Sequence, residues 1–323
     1  MRRISLLAII FFLASCETPW GFVHFEKQDA VNPILLPDSS YTFIDPVTQH
    51  AVHWQSKNVL NPTAIVKDRK VYLIYRAQDT AMTSRLGMAI SEDGIHFTKQ
   101  TQPILYPDHD ASLIYEWKGG VEDPRIVESE EGFYLLTYTS YDGKTARLCF
   151  ATSKDLLHWE KKGPVLKSEK YINSWSKSGA IVVEKKNDHF VAKKINGKYW
   201  MYFGDTDLFM ATSSDLLHWE ALENEESKKL VSVLTPRAGF FDSRLVEPGP
   251  FALYTPRGIE LIYNSSNAAN NNDPSLPKFT YAASQALFDT AIPYKLKDRK
   301  LTYFIHPDKP YEITGEVNNV CFV

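Results

Sequence analysis

A short phrase recurs three times along this chain at nearly constant spacing, and it constrains the fold more than any other feature of the sequence. The phrase reads Ser-x-Asp-x-x-His followed by Phe or Trp, and its three aspartates are Asp93, Asp155 and Asp215. A period of about 60 residues is typical of a repeat architecture, in which each repeat is one supersecondary unit. The histidines of the phrase occupy one position on separate repeats, so we do not expect them to form a metal site.

Each copy of the phrase follows two short runs of β-branched and aromatic residues separated by a turn, a pattern that predicts β-strands. The clearest runs lie at 71–76, 133–138, 199–203 and 259–263. Three or four strands in about 60 residues is the size of one β-propeller blade with its loops. The sequence therefore predicts an all-β fold, a five-bladed β-propeller. We expect the last blade to be incomplete at the C-terminus unless strands around 31–43 and 51–54 fill the gap.

The first residues have the features of a bacterial lipoprotein signal peptide. Arg2 and Arg3 precede an apolar run over 4–13, which is too short to span a bilayer. The following Leu-Ala-Ser-Cys resembles a lipobox, which implies a lipid anchor at Cys16; an ordinary secretory signal with an incidental cysteine is the alternative. We expect a signal peptide over 1–16, a linker over 17–30 and a catalytic propeller over 31–323. The predicted location is extracytoplasmic, on the periplasmic face or on the outer-membrane surface.

The charge balance points away from a nucleic-acid partner. The formal net charge is −3, from 36 basic and 39 acidic side chains, whereas nucleic-acid binding needs a clustered basic surface. Cys149 and Cys321 both lie in apolar strand-like runs, which favours buried free thiols, and a disulfide between them stays open. We expect no metal and no cofactor.

Polar side chains stand where the predicted innermost strand of each blade begins, and in a propeller these starts meet around one axis. Carboxylates occur at corresponding places on three blades, as Asp123, Asp205 and Glu247. Converging carboxylates with cations nearby favour general acid and base catalysis on a glycoside. The alternative is that each carboxylate caps a strand or pairs with a nearby arginine. Further polar candidates at these strand ends are Asn61, Arg76, Glu122, Arg125, Lys177 and Asn264.

Several phrases follow one another along almost the whole chain after the leader. They are Asn-Pro-Thr-Ala-Ile-Val at 61–66, Tyr-Arg-Ala-Gln-Asp at 75–79, Gly-Gly-Val-Glu-Asp-Pro-Arg-Ile at 119–126, Gly-Lys-Tyr-Trp-Met-Tyr-Phe-Gly at 197–204, Glu-Pro-Gly-Pro at 247–250, Ala-Leu-Phe-Asp at 286–289 and Pro-Tyr-Glu-Ile-Thr-Gly at 310–315. In these phrases the chain resembles glycoside hydrolase family 130, the β-mannoside phosphorylases and β-mannosidases. The resemblance implies that Asp123 is the proton donor and acts through a hydroxyl of the mannose. It also implies that Arg76, Asp79, Glu122 and Arg125 position the sugar in the subsite that carries the cleaved bond.

Members of this family divide between phosphorolysis and hydrolysis. A phosphorylase must hold a phosphate dianion with several cationic side chains, and Arg147, Lys177 and Arg244 could supply them. A hydrolase needs instead a carboxylate that deprotonates water, for which Glu247 is our first choice, with Asp205 as its partner or alternative.

We favour an inverting hydrolase for two further reasons. Asn264 follows a strand-ending tyrosine where phosphorylases of this family commonly carry a histidine. A sugar phosphate made outside the cytoplasm is charged and hard to recover. The hydrolytic members most similar to this chain act on β-1,2-linked mannosides, so the expected substrate is a manno-oligosaccharide or glycan with that linkage. The alternatives are a phosphorylase that uses inorganic phosphate and releases mannose 1-phosphate, and a non-catalytic glycan-binding lipoprotein.

Overall fold

The computed structural model describes residues 20–22 and 25–320. The predicted signal peptide, the lipidation site Cys16 and the second thiol Cys321 lie outside the described residues. The described part is all-β apart from two four-residue helices. In chain order the strands are β1 (Phe43–Ile44), β2 (Ala51–Val52), β3 (Asn58–Lys67), β4 (Lys70–Gln78), β5 (Ser84–Ser91), β6 (Thr98–Lys99), β7 (Gly120–Glu128), β8 (Tyr134–Tyr141), β9 (Ala146–Ser153), β10 (Glu160–Pro164), β11 (Gly179–Lys186), β12 (His189–Ala192), β13 (Tyr199–Phe203), β14 (Phe209–Ser213), β15 (Trp219–Ala221), β16 (Leu245–Thr255), β17 (Gly258–Ser266), β18 (Tyr281–Phe288) and β19 (Leu296–Arg299). The helices are α1 (Leu113–Glu116) and α2 (Pro310–Ile313).

Consecutive strands pair in four antiparallel four-stranded sheets within the described residues. The first sheet contains β3–β6 and the second contains β7–β10. The third contains β11 and β13–β15, and the fourth contains β16–β19. Strand β12 forms a hairpin with β11 and pairs with β7 of the second sheet. Among the first strands, β7 contacts β3, β11 and β16, and β11 also contacts β16, which places these strands around a common axis.

The apolar cores lie between successive sheets rather than inside any one of them. One representative pair from each core is Trp54 with Tyr75, Ile74 with Ile126, Leu135 with Met201, and Tyr202 with Leu261. The first core joins the segment before β3 to the first sheet, and the other three join sheets one to two, two to three and three to four. Sheets packed face to face in chain order around an axis form a β-propeller-like fold.

The repeated phrase forms the turn that follows the third strand of each of the first three sheets. In the first copy, Oδ1 of Asp93 accepts hydrogen bonds from the backbone N–H groups of Ile95 (2.9 Å) and His96 (2.8 Å). The ring of His96 contacts the other carboxylate oxygen at 2.6 Å, and its side chain is 86% exposed. The copies at 153–158 and 213–218 repeat these contacts. The three histidines therefore brace separate turns on the surface, one after each of the first three sheets' third strands.

The described residues of the segment 20–31 pack on the fourth sheet. Nε1 of Trp20 donates to Oδ2 of Asp298 at 2.6 Å. The backbone of Phe22 exchanges two hydrogen bonds, of 2.6 and 2.8 Å, with the side-chain amide of Gln285. This part of the predicted linker is therefore docked on the propeller. Of the strands expected around 31–43 and 51–54, the structure contains the short hairpin of β1 with β2.

The remaining features concern a thiol, a membrane span and a metal site. Cys149 in β9 is a buried free thiol whose Sγ lies 3.2 Å from Oγ of Ser140. Over residues 20–22 and 25–320, no helix combines the length and the apolar character needed to cross a membrane. The same part of the chain has no group of three or more His, Cys, Asp or Glu side chains placed to hold a metal ion.

Candidate active site

A cavity of about 600 Å³ opens where the first strands of the sheets begin. Its walls are completed by residues 32–37 before the first sheet and by residues of the segment 311–320. The structure brings together here seven of the residues that the sequence analysis singled out. They are Asn61, Arg76, Asp123, Lys177, Asp205, Glu247 and Asn264.

Irregularities at matching places in the first strands position these polar side chains. The pairing register of β3 shifts around Asn61, that of β7 shifts around Asp123, and that of β16 shifts after Pro248. The φ angles of Asn61 and Asp123 are +46° and +47°. A bulge redirects a side chain out of the regular alternation of the strand. As a result the amide of Asn61 donates to the carboxylate of Asp123 on the neighbouring sheet.

The glycine pair that precedes Asp123 has a steric explanation. Gly120 adopts a φ of +101°, and a Cβ at this position would lie 2.1 Å from the carbonyl oxygen of Ser84. This is the point where β5 and β7 pair in parallel. Only a residue without a side chain allows the two sheets to approach so closely, and their approach fixes where Asp123 stands relative to the first sheet.

Asp123 is a buried carboxylate surrounded by donors and cations. Its Oδ1 accepts from Asn61 and from Nη1 of Arg76 at 3.4 Å, and its Oδ2 lies 3.5 Å from Nζ of Lys177. Burial raises the pKa of this carboxyl, but the charges of Lys177, Arg76 and Arg125 together lower the pKa below its usual range. Asp123 is therefore ionised in the free site at neutral pH.

Glu122 shares the same arginine, but its pKa is shifted in the opposite direction. Nη2 of Arg76 donates to Oε1 of Glu122 at 2.8 Å. Burial raises the pKa of Glu122 to about 7 against the opposing charge of Arg76. Because the adjacent carboxylates of Glu122 and Asp123 interact, the pair releases its protons in two separate steps. The two neighbouring carboxyls thus have pKa values shifted in opposite directions.

Glu247 presents a buried carboxylate to the cavity. It is the third residue of β16, the first strand of the fourth sheet, and is 7% exposed. Burial raises its pKa, and the charges of Lys177 and Arg125 act in the opposite direction. Among the described residues no group donates a hydrogen bond to this carboxylate. Its oxygens therefore remain available to a water molecule or to a sugar hydroxyl, and its raised pKa suits a general base that works near neutral pH.

Two further lining residues differ in how their polar atoms are satisfied. Asn264 is fully buried, and neither Nδ2 nor Oδ1 of its amide has a hydrogen-bond partner within the part of the chain that the structure describes. An unpaired buried amide is costly, so a ligand that supplies both a donor and an acceptor is favoured beside it. Asp205 already accepts a hydrogen bond of 2.6 Å from Nε1 of Trp175.

Three residues that the resemblance placed around the sugar lie behind the cavity wall. Asp79 caps its own turn and pairs with Arg85 at 2.8 Å. Glu122 reaches the site only through Arg76. Arg125 donates to the backbone oxygens of Pro248 and Gly249 across the axis, at 3.0 and 2.9 Å. These side chains support the residues that line the cavity, because each is already satisfied by protein partners.

The cationic pocket that Arg147 and Arg244 could have formed is not present. The guanidinium of Arg147 pairs with Asp142 at 2.7 Å and donates to the backbone oxygen of Ile172 at 2.8 Å. The guanidinium of Arg244 lies over the ring of Phe279, 5.1 Å from its centroid. Neither arginine lines the cavity. The expectation that Arg147 binds substrate is therefore corrected, since its donors hold the loop after the second sheet.

Sequence reasoning missed two lining residues and one residue at the rim. Glu316 directly follows the last family phrase, and its Oε1 lies 3.3 Å from Nη2 of Arg76. Tyr281 begins β18 and lines the cavity. Trp175 stands beside the cavity through its bond to Asp205. Only Glu316 carried a usable signal, namely its position next to a conspicuous phrase.

Comparison with known proteins gives consistent results over nearly the whole chain. Residues 25–323 match the family model of glycoside hydrolase family 130, described as β-1,4-mannooligosaccharide phosphorylase. A 1,2-β-oligomannan phosphorylase from Thermoanaerobacter sp. (strain X514) is 31% identical over 92% of this chain and 87% of its own length.

Solved structures extend this similarity. One comes from work on family 130 glycoside hydrolases that target β-1,2 mannosidic linkages in Candida mannan. It is 42% identical with a TM-score of 0.91, and the match covers 94% of this chain and 87% of that one. A glycosyl hydrolase from Bacteroides ovatus is 40% identical with a TM-score of 0.89, over 93% and 86% of the two chains.

Proposed function

This chain belongs to glycoside hydrolase family 130, whose members act on β-mannosidic linkages, and on that premise we propose that it is an inverting hydrolase specific for β-1,2-linked mannosides. The substrate class is a manno-oligosaccharide or a mannose-containing glycan. Asp123 and Glu247 are the two reacting carboxylates of this proposal, and no cofactor takes part.

The charge of the cavity wall is the observation that carries the proposal. The described lining residues include five carboxylates, Asp123, Asp205, Glu247, Glu312 and Glu316, but only two cations, Arg76 and Lys177. Both cations are already paired, Arg76 with Glu122 at 2.8 Å and Lys177 with Asp123 at 3.5 Å. A phosphate dianion needs several free cationic donors, whereas an attacking water needs a carboxylate with free lone pairs. The charge of the cavity wall therefore favours an attacking water molecule over a phosphate dianion.

In the proposed reaction Glu247 deprotonates a water molecule, which attacks the anomeric carbon of the mannose. The bond to the leaving oxygen breaks, and that oxygen receives a proton by way of Asp123 and a mannose hydroxyl. Because the cations around Asp123 favour its ionised form, the reactive enzyme is the fraction in which Asp123 itself carries the proton that it passes on through the mannose hydroxyl. Asn61, Arg76 and Lys177 hold Asp123 in place, and orientation of this kind lowers the barrier without covalent chemistry.

A β-mannoside phosphorylase is the second candidate. It is favoured by the curated relatives, which include the 1,2-β-oligomannan phosphorylase and a β-1,2-mannobiose phosphorylase at 27% identity. The solved structure from the hydrolase work is more similar, at 42% identity. This difference supports hydrolysis as the first candidate.

One experiment separates these candidates. Purified protein is incubated with β-1,2-mannobiose and with β-1,4-mannobiose, each with and without inorganic phosphate. The hydrolase releases α-mannose first, without phosphate, from the β-1,2-linked substrate. Mannose 1-phosphate that forms only when phosphate is present would instead identify a phosphorylase. Binding without any product would identify a glycan-binding protein.

We also propose the extracytoplasmic location and the blade count. Labelled palmitate should be incorporated into the full-length chain expressed in a bacterial host and not into its Cys16→Ala variant; equal labelling would exclude lipidation at Cys16.

Five blades are supported by the position of the segments 25–57 and 306–320. Lys27 joins the two segments by donating to the backbone oxygen of His306 and to Glu312. The nearby Phe22 is bonded to Gln285 of the fourth sheet, and the backbone oxygen of Thr42 accepts from Gln102, just after the first sheet. This position between the fourth and the first sheet is that of a fifth unit. A crystal structure of the full chain would count the blades.

A further inference from the structure

An exposed indole stands at the rim of the cavity with its orientation fixed. Trp175 is 54% exposed, although tryptophan has a large apolar surface. Its Nε1 donates to Oδ2 of Asp205 at 2.6 Å, and Asp205 lines the cavity. The hydrogen bond holds one edge of the ring against the cavity wall, while much of the apolar surface remains in contact with solvent.

The loop that carries Trp175 is held on both sides of this residue. Before it, Arg147 donates to the backbone oxygen of Ile172 at 2.8 Å and to Oδ1 of Asn173 at 3.1 Å. After it, Oγ of Ser176 accepts a hydrogen bond from the backbone N–H of β9, and the backbone N–H of Ser176 donates back to that strand. The indole is therefore preorganised, and a ligand that packs against it loses little conformational entropy.

The position of the indole relative to the reacting groups indicates what it contacts. Lys177, two residues further along, reaches Asp123 at 3.5 Å. Asp123 and Arg76 are both under 10% exposed and form the deep part of the site. The mannose that carries the cleaved bond must lie there, so the rest of the substrate extends outward to the rim. The group at the rim is the leaving-group sugar.

We propose that Trp175 is the stacking surface for the leaving-group sugar, a hexopyranose whose C–H face covers the indole. This inference rests on the proposed function, because it takes the bond to be cleaved beside Asp123. Covering exposed apolar surface is favourable, and an aromatic face adds to it. Trp175 thus contributes to the binding of oligosaccharides and not to the binding of a single mannose unit.

The test compares two substrates that differ only in the leaving group. β-1,2-Mannobiose has a leaving-group sugar, and β-mannosyl fluoride has none. Trp175→Ala should raise the KM for mannobiose about tenfold and change kcat/KM for the fluoride less than twofold. Trp175→Phe, which keeps a ring, should recover part of the loss. Trp20→Ala is the matched control, because Nε1 of Trp20 also donates to an aspartate at 2.6 Å, but neither Trp20 nor Asp298 lines the cavity.

Equal losses on both substrates, or no loss on mannobiose, would overturn the proposal. Failure of the proposed function is detected separately, because it shows as absence of hydrolysis by the wild-type protein. Binding of β-1,2-mannobiose to the Glu247→Gln protein, measured by calorimetry, needs no turnover. Adding Trp175→Ala to that protein should weaken the binding about tenfold, and unchanged affinity would refute the stacking role whatever reaction the enzyme performs.

Discussion

Replacing Glu247 by glutamine is the sharpest test of the proposed chemistry, because it removes one charge and preserves the shape of the side chain. General base catalysis is worth about 10² to 10⁴ in rate, which corresponds to about 3–5 kcal/mol in activation free energy. The carboxylate of Glu247 is 7% exposed and accepts no hydrogen bond within the described residues. Water is therefore its natural partner, and we expect a loss in the upper part of the range, about 10³ to 10⁴.

The matched comparison is Asp205→Asn. One oxygen of Asp205 already accepts a hydrogen bond from Trp175 at 2.6 Å, and an asparagine oxygen can accept the same bond. If Glu247 is the base, this substitution should reduce kcat less than about tenfold. The two variants should therefore differ by at least about 100-fold when β-1,2-mannobiose hydrolysis is followed at pH 7.

Azide distinguishes a lost base from a distorted site. Azide attacks an anomeric carbon without losing a proton, so it should restore turnover of β-mannosyl fluoride by Glu247→Gln and yield α-mannosyl azide. It should not restore mannobiose cleavage by Asp123→Asn, which lacks the proton donor. A loss for Asp205→Asn equal to or larger than that for Glu247→Gln would refute our assignment of the base.

Three further predictions concern charge and packing. Lys177→Met should move the acidic limb of the pH profile of kcat/KM to higher pH, because Lys177 lowers the pKa of the proposed base; an unmoved limb would contradict this. Gly120→Ala should destabilise the fold by about 2–5 kcal/mol in urea unfolding, because left-handed strain adds to a clash at 2.1 Å. Gly132→Ala, with a φ of +80° and no atom within 4 Å, should cost only about 1–2 kcal/mol, and equal losses would exclude the clash. Arg85→Met should cost about 3–5 kcal/mol at pH 7, because it leaves the buried carboxylate of Asp45 unpaired. Burial raises the pKa of Asp45, but its hydrogen bond with Arg85 helps to lower the pKa below its usual value. The wild-type pair should therefore stabilise the fold fully above the unfolded pKa of about 3.9 and progressively less as the pH falls through the folded pKa. A loss that does not shrink in acid would contradict the pairing.

The repeat made the sheets and the cavity predictable from sequence, because both depend on local pairing that recurs at a fixed period. Asn61 and Asp123 occupy the same place on consecutive sheets, so locating one in the sequence located the other. Their convergence required no knowledge of loops.

Residues whose partners lie at irregular distances could not be assigned in this way. Arg147 could have faced the cavity or the loop, and its partner Ile172 lies in a stretch without a repeat. Trp175 belongs to the same stretch, and nothing periodic marked its exposure. The docking of Trp20 on Asp298 joins residues that are 278 positions apart in the sequence, and no local pattern encodes such a contact.

The placement of the apolar cores between sheets has a consequence for how the molecule comes apart. A sheet that opens exposes the cores on both of its sides, as the core around Leu135 and Met201 illustrates for the second and third sheets. The free energy needed to open one sheet alone is therefore close to the free energy needed to open it together with its neighbours. This favours concerted unfolding over the loss of one sheet at a time. Amide protons in β8 and in β13 should accordingly exchange with solvent through a shared, rare event.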